Sequence, residues 1–138
     1  PPSDPLRIAA RQAWRGTTSR KDLTLSGYTF AFCFENSLLE GWITEKIFDC
    51  FYAGAIPVYW GAPDIEQWIP PECYIDMRRF EGYEDLREFL HSRTPEQIEA
   101  YRLAARDFLR SDRFRPFDKQ TFAELIGRIV EEDTGVSL

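Results

Sequence analysis

The chain has 138 residues, of which 43% are hydrophobic and 29% charged, a composition typical of one globular domain rather than of a disordered segment. Its formal net charge of −6 argues against a general nucleic-acid binder, which needs a dominant basic surface. No apolar run reaches the roughly 18 residues of a membrane span, and no signal peptide is visible. Because the chain begins at Pro1 without Met, we expect it to be part of a longer protein.

The apolar periodicity predicts an alternation of helices and strands along the chain. In chain order, the predicted elements are a helix over 4–14, a polar loop over 16–27, a strand over 28–35, a helix over 44–53, a strand over 56–60, a brief helix over 64–68, a strand over 73–77, and helices over 83–92, 95–110 and 119–132. Gly54 is predicted to end the second helix. Thr94 and Gln97 are predicted to form a capping box. This alternation is typical of βαβ units, so we expect an α/β fold with a parallel sheet and helices on its faces.

Three features are expected to be buried. The strand over 28–35 carries side chains suited to the interior on both of its faces, which predicts a central strand covered on both sides. The helix over 119–132 is expected to pack on the core through one apolar face, formed by Phe122, Leu125, Ile126, Ile129 and Val130. The three cysteines, Cys33, Cys50 and Cys73, lie in apolar runs without CxxC spacing, and we expect buried free thiols rather than disulfides or metal ligands.

Polar side chains cluster where the first predicted strand ends and where the next helix begins. They are Glu35, Asn36 and Ser37 after the strand, and Thr44, Glu45 and Lys46 at the helix start. Ligands of parallel α/β sheets bind outside the carboxyl ends of the strands. The six residues are therefore expected to lie on the ligand edge of the sheet.

These residue types suit a nucleotide. A helix start favours an anion, and Lys46 adds a full positive charge there, at a position where a cation is otherwise unfavourable for the helix. A carboxylate at Glu45 can accept hydrogen bonds from ribose hydroxyls, and Asn36 can both donate and accept. Phosphate, ribose and aromatic surroundings together describe a nucleotide site.

A purely structural interpretation fits the same residues. Glu45 can satisfy the helix dipole, Lys46 can pair with Asp49, and Asn36 with Ser37 can form a turn. The chain contains no GxGxxG, no GxxxxGK[ST] and no DxD motif, so the usual dinucleotide, P-loop and metal–diphosphate signals are absent. The spacing of the residues alone leaves both interpretations open.

A longer motif resembles a known family. The segments YTFAFCFENS at 28–37 and GWITEKIFDCFYAGAIPVYWGAP at 41–63 look like the C-terminal domain of the α-1,3/α-1,4-fucosyltransferases, glycosyltransferase family 10. The family pattern has a strand that ends in Phe-Glu-Asn-Ser, then Tyr-[Ile/Val]-Thr-Glu-Lys, then an Ile-Pro-Val segment that ends in Gly-Ala/Ser-Pro. The resemblance covers about residues 28–75.

The resemblance implies a GT-B architecture, in which two Rossmann-like domains face a cleft and the C-terminal one holds GDP-fucose. Residues 1–138 would then be a single nucleotide-sugar-binding domain. Lys46 would contact the diphosphate, Glu45 the ribose, and Asn36 would line the same pocket. The implied donor-binding set is Glu35, Asn36, Ser37, Trp42, Thr44, Glu45 and Lys46.

Two positions depart from the family pattern, and one assignment is remote. Trp42 stands where tyrosine is usual, and an indole lacks the phenol oxygen. Thr29 replaces the usual lysine at the strand entry. The family also uses an upstream arginine on the phosphates, and Arg7 is the candidate for that catalytic role beside Lys46.

The implied reaction is transfer of L-fucose from GDP-fucose to a glycan hydroxyl, with inversion. The family places the general base on an N-terminal acceptor domain. We expect that domain to lie outside this chain, so we expect the chain alone to be inactive or weakly active. No metal is expected to be required, with Mn²⁺ or Mg²⁺ at most stimulatory. Expected partners are GDP-fucose, a glycan acceptor and the N-terminal domain, with no nucleic acid.

Location and alternatives follow from weaker signals. Arg102, Arg106 and Arg110 share a helix face, which fits either a solvated, ion-paired surface or peripheral membrane contact by a lipopolysaccharide-directed enzyme. We expect a cytoplasmic bacterial setting, and a Golgi lumen if the source is eukaryotic. His91 is expected to end a helix rather than to act in catalysis.

Two alternatives to a fucosyltransferase donor domain stay open. One is a GT-B half for another nucleotide sugar, and the other is a non-catalytic nucleotide- or glycan-binding module.

Overall fold

The computed structural model describes residue 8 and residues 11–135. Most of the helix predicted over 4–14, Arg7 included, lies outside the described residues, and residues 11–13 are helical. Strands β1, β2 and β3 are Phe30–Phe34, Ile56–Trp60 and Ile75–Asp76. Helices α1 to α6 are Lys21–Leu25, Glu45–Ala53, Ile65–Trp68, Tyr83–His91, Pro95–Arg110 and Lys119–Thr134, and short 3-10 helices occupy Pro71–Cys73, Met77–Arg79 and Asp112–Phe117.

The three strands are parallel and lie side by side in the order β1, β2, β3. Successive side chains of β2 point to opposite faces of the sheet. Ile56 and Val58 belong to a buried cluster with Leu86 of α4, whereas Tyr59 belongs to a second cluster with Phe51 of α2. Helices therefore cover both faces, and the predicted α/β class with a parallel sheet is confirmed.

Short sequence signals set the helix limits where they were predicted. Gly54 follows α2 with a φ of 75°, a left-handed conformation that glycine adopts without a Cβ clash. The capping box at the start of α5 is present: the Gln97 amide donates to the Thr94 hydroxyl, and the Thr94 amide donates to the Gln97 side-chain oxygen. Local chemistry thus accounts for the end of α2 and the start of α5.

The strand that carries the site, β1, lies at the edge of the described sheet, so the prediction of a central strand is wrong. Its strand neighbour among the described residues is β2. The side chain of Phe32 is 63% exposed, and Tyr28 just before the strand is also exposed. An alternation of aromatic residues indicates that a strand can be buried. It does not indicate how many strands lie beside it.

The C-terminal helix α6 does not bury its apolar face, contrary to prediction. The exposed side chains on it are Phe122, Leu125, Ile126, Ile129 and Val130, and no residue of α6 is buried within the described structure. The element it packs against is the 3-10 helix Asp112–Phe117 that precedes it. The amphipathic pattern correctly predicts a helix here, but it cannot specify what covers the apolar face.

The loop predicted over 16–27 contains the short helix α1. Lys21 of α1 donates to Asp49 of α2 at 3.3 Å, and Leu25 packs against the core. These tertiary contacts stabilise a helix too short to show periodicity in the sequence. All three cysteines are free and buried, as predicted. None of the described helices combines the length and apolar content that a bilayer crossing requires.

The two buried tyrosines, Tyr59 and Tyr74, should respond differently to replacement by phenylalanine. The Tyr59 hydroxyl accepts a 3.0 Å hydrogen bond from the Ala62 amide, whereas the buried Tyr74 hydroxyl has no hydrogen-bond partner. Tyr59→Phe should lower the free energy of unfolding by about 1–3 kcal/mol, because it leaves a buried donor unsatisfied. Tyr74→Phe should leave that energy unchanged or raise it. Urea denaturation of both variants tests this pair, and equal losses would contradict it.

Candidate functional site

The carboxyl ends of the parallel strands meet at one edge of the sheet, and the polar cluster lies there. Glu35 follows β1 directly, Gly61 follows β2, and Asp76 ends β3. Helix α2 begins at the same edge, because Thr44 precedes it and is bonded to Glu35. The structure thus brings together two groups of residues that the sequence separates by a loop.

The buried Glu35 side chain forms hydrogen bonds with two other residues at this edge of the sheet. Its Oε1 accepts from the Thr44 amide at 2.9 Å, and its two carboxylate oxygens lie 2.9 and 2.8 Å from the Thr44 hydroxyl. Its Oε2 also accepts from Lys46 Nζ at 3.1 Å, and the side chain is 0% exposed. A carboxylate so enclosed has no surface for a ligand. Its role in the site is therefore to hold Thr44 and Lys46 in place, rather than the direct contact that we expected.

Lys46 is held by three acceptors. Its Nζ lies 3.0 Å from the Phe34 carbonyl oxygen, 3.1 Å from Glu35 Oε2 and 3.1 Å from Asn36 Oδ1. An ammonium group has three protons, so this arrangement uses all of them. The Asn36 side chain is exposed, unlike the other two acceptors, and is the partner that an incoming anion can replace. The pairing of Lys46 with Asp49, considered from the sequence, is not formed: Asp49 pairs with Lys21.

The start of α2 lacks a side-chain cap. Thr44 occupies the N-cap position, where its hydroxyl would ordinarily accept a hydrogen bond from a first-turn amide. That hydroxyl is instead directed to Glu35, and no side-chain cap hydrogen bond is formed. The first-turn amides of α2 are thus left for another acceptor, with Lys46 beside them. This arrangement suits an anion such as a phosphate.

The other predicted site residues lie around this cluster rather than in it. Glu45 is exposed, with its carboxylate 3.7 Å from Lys21 Nζ. Trp42 is 45% exposed, and Ser37 is half-buried. These side chains make no hydrogen bond to the Glu35–Lys46 cluster among the described residues. Arg7 lies outside the described residues.

Gly61 was not predicted as part of the site, although its position packs directly against it. A Cβ at Gly61 would lie 2.3 Å from the Tyr59 hydroxyl oxygen and 2.6 Å from Glu35 Cγ. Burial raises the pKa of Tyr59 to about 12, so its hydroxyl stays protonated. The available sequence signal was a glycine immediately after a buried strand, which indicates close approach of something to the backbone. That approach is made by Tyr59 and Glu35.

Charged groups also tie the neighbouring loops together. Asp64 accepts from the Gly41 amide at 2.9 Å and from Trp68 Nε1 at 3.0 Å. Buried Asp76 pairs with Arg78 at 2.6 Å, and Arg78 donates to the Pro63 carbonyl at 2.9 Å. Asp64 occupies the N-cap position of α3, but its side chain does not cap that helix.

Two of the three arginines predicted on one face of α5 have structural partners. Arg102 donates to the Gly54 carbonyl at 2.9 Å, and Arg106 pairs with Glu99. An ion-paired face therefore accounts for Arg106, whereas Arg102 binds the backbone at the end of α2. Among the described residues, no group of three His, Cys, Asp or Glu side chains is placed to hold a metal ion.

Comparisons with solved structures identify the class of protein to which this fold belongs. The crystal structure of an α1,3-fucosyltransferase with GDP-fucose superposes with a TM-score of 0.55 at 28% identity, covering 73% of this chain and 36% of that one. A second, with GDP, gives the same TM-score at 29% identity and covers 64% of this chain and 28% of that one. The fold is thus that of a glycosyltransferase domain.

The family model described as "Glycosyltransferase family 10 (fucosyltransferase) C-term" matches residues 8–103. The chain belongs to this family of fucosyltransferases, as its motifs predicted.

Curated relatives agree with this assignment. The chain is 33% identical over 70 residues to the Alpha-(1,3)-fucosyltransferase FucT of Helicobacter pylori, covering 51% of this chain and 15% of that protein. It is 40% identical over 67 residues to GDP-fucose protein O-fucosyltransferase 3 of Xenopus laevis, covering 48% of this chain and 14% of that protein. The matched segments therefore span about a seventh of the length of these relatives.

Proposed function

We propose that the chain forms the donor-binding part of a fucosyltransferase, which transfers L-fucose from GDP-fucose with inversion to a glycan hydroxyl in α-1,3 or α-1,4 linkage. The observation that carries the proposal is the start of α2. There Thr44 bonds to Glu35 instead of capping the helix, and Lys46 stands beside the uncapped amides. This combination favours the diphosphate of a nucleotide sugar. The solved relatives include α1,3-fucosyltransferase structures with GDP and with GDP-fucose.

In the proposed site, the diphosphate replaces Asn36 on Lys46. The Phe34 carbonyl and Glu35 keep two of the ammonium protons and fix the position of Nζ, while the third turns to a phosphate oxygen. The charge then lies where negative charge grows as the bond from fucose to GDP breaks. A cation and helix amides that are already oriented stabilise that leaving group without reorganisation.

Other parts of the proposed reaction lie outside these residues. Deprotonation of the acceptor hydroxyl needs a general base, which we assign to an N-terminal acceptor domain. The proposed chain thus binds donor but turns over slowly or not at all alone. We also propose that no metal is needed, with Mn²⁺ or Mg²⁺ at most stimulatory, and that the protein works in the cytoplasm of a bacterium.

Calorimetric titration with GDP, GDP-fucose, UDP and ADP tests the proposed donor. We expect the guanine nucleotides to bind at least about tenfold more tightly than UDP or ADP, a difference of about 1.4 kcal/mol. In the Glu45→Ala variant, the Kd for GDP should be about tenfold higher than in the unchanged chain, because the variant loses the carboxylate proposed to accept from the ribose hydroxyls. Its fold should be unaffected, since Glu45 is exposed.

A matched control is Glu96→Ala, which removes an exposed carboxylate from the first turn of α5. It should bind GDP as the unchanged chain does. Preference for UDP or ADP would favour a transferase half for another nucleotide sugar. GDP binding without transfer, even when an N-terminal acceptor domain is present, would favour a non-catalytic module. A repeat with EDTA measures the metal dependence of binding.

A further inference from the structure

The loop between β1 and α2, residues 36–43, carries three of the proposed donor-binding side chains, Asn36, Ser37 and Trp42. Its internal hydrogen bonds join near neighbours: the Trp42 amide donates to Leu39 and the Ile43 amide to Gly41. Leu38 to Trp42 are all exposed. Such a segment has little packing of its own to keep it in one conformation.

One contact ties the middle of this loop to the rest of the domain. Asp64 Oδ1 accepts from the Gly41 amide at 2.9 Å, across 23 residues of sequence. This hydrogen bond to a carboxylate lowers the pKa of Asp64, so the group is ionised at neutral pH. Among the described residues, no other side chain forms a hydrogen bond to the backbone of 38–42.

Asp64 is itself held from two sides. Its Oδ2 accepts from Trp68 Nε1 at 3.0 Å. The carbonyl of the preceding Pro63 accepts from Arg78, which is paired with buried Asp76 at the end of β3. Asp76 belongs to the sheet whose edge carries Glu35. The contacts of Pro63 with Arg78, and of Arg78 with Asp76, therefore fix the position of Asp64 relative to Glu35 and Lys46.

We infer that Asp64 is a positioning residue for donor binding: it holds loop 36–43 in the conformation that admits the nucleotide sugar, through Gly41 and without touching the ligand. This inference rests on the proposed function. If the loop leaves that conformation for nine-tenths of the time, the apparent Kd rises about tenfold, because binding needs the competent fraction. The loss then appears in the association rate, whereas loss of a direct ligand contact appears in dissociation.

The experiment uses stopped-flow GDP binding and hydrogen exchange on the 138-residue chain. Asp64→Ala should lower the association rate about tenfold with little change in dissociation, and should speed exchange of the 36–43 peptide without affecting 45–53. Asp64→Asn keeps an oxygen for the Gly41 amide and should restore most of the rate. Asp107→Ala, which removes an exposed carboxylate from α5, should match the unchanged chain.

The outcomes separate this inference from the proposed function. If the unchanged chain fails to bind GDP, both alone and joined to an N-terminal acceptor domain, the proposed function falls, and the role of Asp64 with it. If the unchanged chain binds and Asp64→Ala binds at the same rate, the inference alone is overturned. A loss confined to dissociation would also overturn it, because Asp64 would then act as a ligand contact.

Discussion

Lys46→Ala should weaken GDP binding by roughly 10- to 100-fold, because a charge-assisted hydrogen bond to phosphate contributes about 1.5–3 kcal/mol. The variant should also lose about 3 kcal/mol of stability, since the enclosed Glu35 carboxylate is left without its cation. Titration calorimetry measures the first effect and urea denaturation the second. Lys119→Ala removes a lysine from the start of α6, remote from the site in sequence, and should change neither.

A paired variant separates binding from folding. Lys46→Met combined with Glu35→Gln removes both charges, so no unpaired ion is buried, and stability should recover most of its loss. GDP binding should not recover. Binding of GDP by the stable double variant with unchanged affinity would show that Lys46 is structural, and the diphosphate would then have to be placed elsewhere.

Gly61→Ala should lower the free energy of unfolding by at least about 2 kcal/mol, because overpacking a dense interior costs about 1–3 kcal/mol and two groups are in the way here. The new Cβ would lie 2.3 Å from the Tyr59 hydroxyl oxygen and 2.6 Å from Glu35 Cγ. Because Glu35 positions Lys46, GDP affinity should fall as well. Urea denaturation and GDP titration of the same samples measure both effects.

The matched substitution is Gly127→Ala in α6, where a Cβ meets no atom within 4 Å. It should raise stability by about 0.5–1 kcal/mol, as expected for Gly→Ala within a helix. Adding Tyr59→Phe to Gly61→Ala should not restore stability, because the ring carbon Cζ still lies 2.5 Å from the new Cβ and the Ala62 amide loses its acceptor. If Gly61→Ala is as stable as the unchanged chain, the close packing of Tyr59 and Glu35 around this backbone is not required.

Features determined by local chemistry were predictable from the sequence. The end of α2 at Gly54 and the capping box at Thr94 depend on neighbouring residues alone. The meeting of Glu35 with Thr44 also follows from one general rule, since strand ends and helix starts share an edge in parallel sheets.

Features determined by long-range packing were not predictable. The exposure of β1 depends on the strand order, which a period-two pattern does not contain. The bond from Asp64 to Gly41 joins two loops, and nothing in either loop marks its partner. The buried role of Glu35 was hidden for a similar reason: a carboxylate after a strand has the same sequence pattern whether it binds a ligand or supports a lysine.

Within the described residues β1 is an edge strand, and this affects how the chain behaves in concentrated solution. The Glu35 amide and the Thr29 carbonyl form hydrogen bonds with β2. Because the direction of the backbone groups alternates along a strand, the amides and carbonyls of Phe30 and Phe32 point away from β2. Protein edges of this kind are commonly protected by lysine, proline or a bulge, and β1, FAFCF, contains none of these. The net charge of −6 opposes contact between molecules. Salt screens that repulsion, so the colloidal stability of the chain should be set by ionic strength, with β1 as the point where aggregation starts.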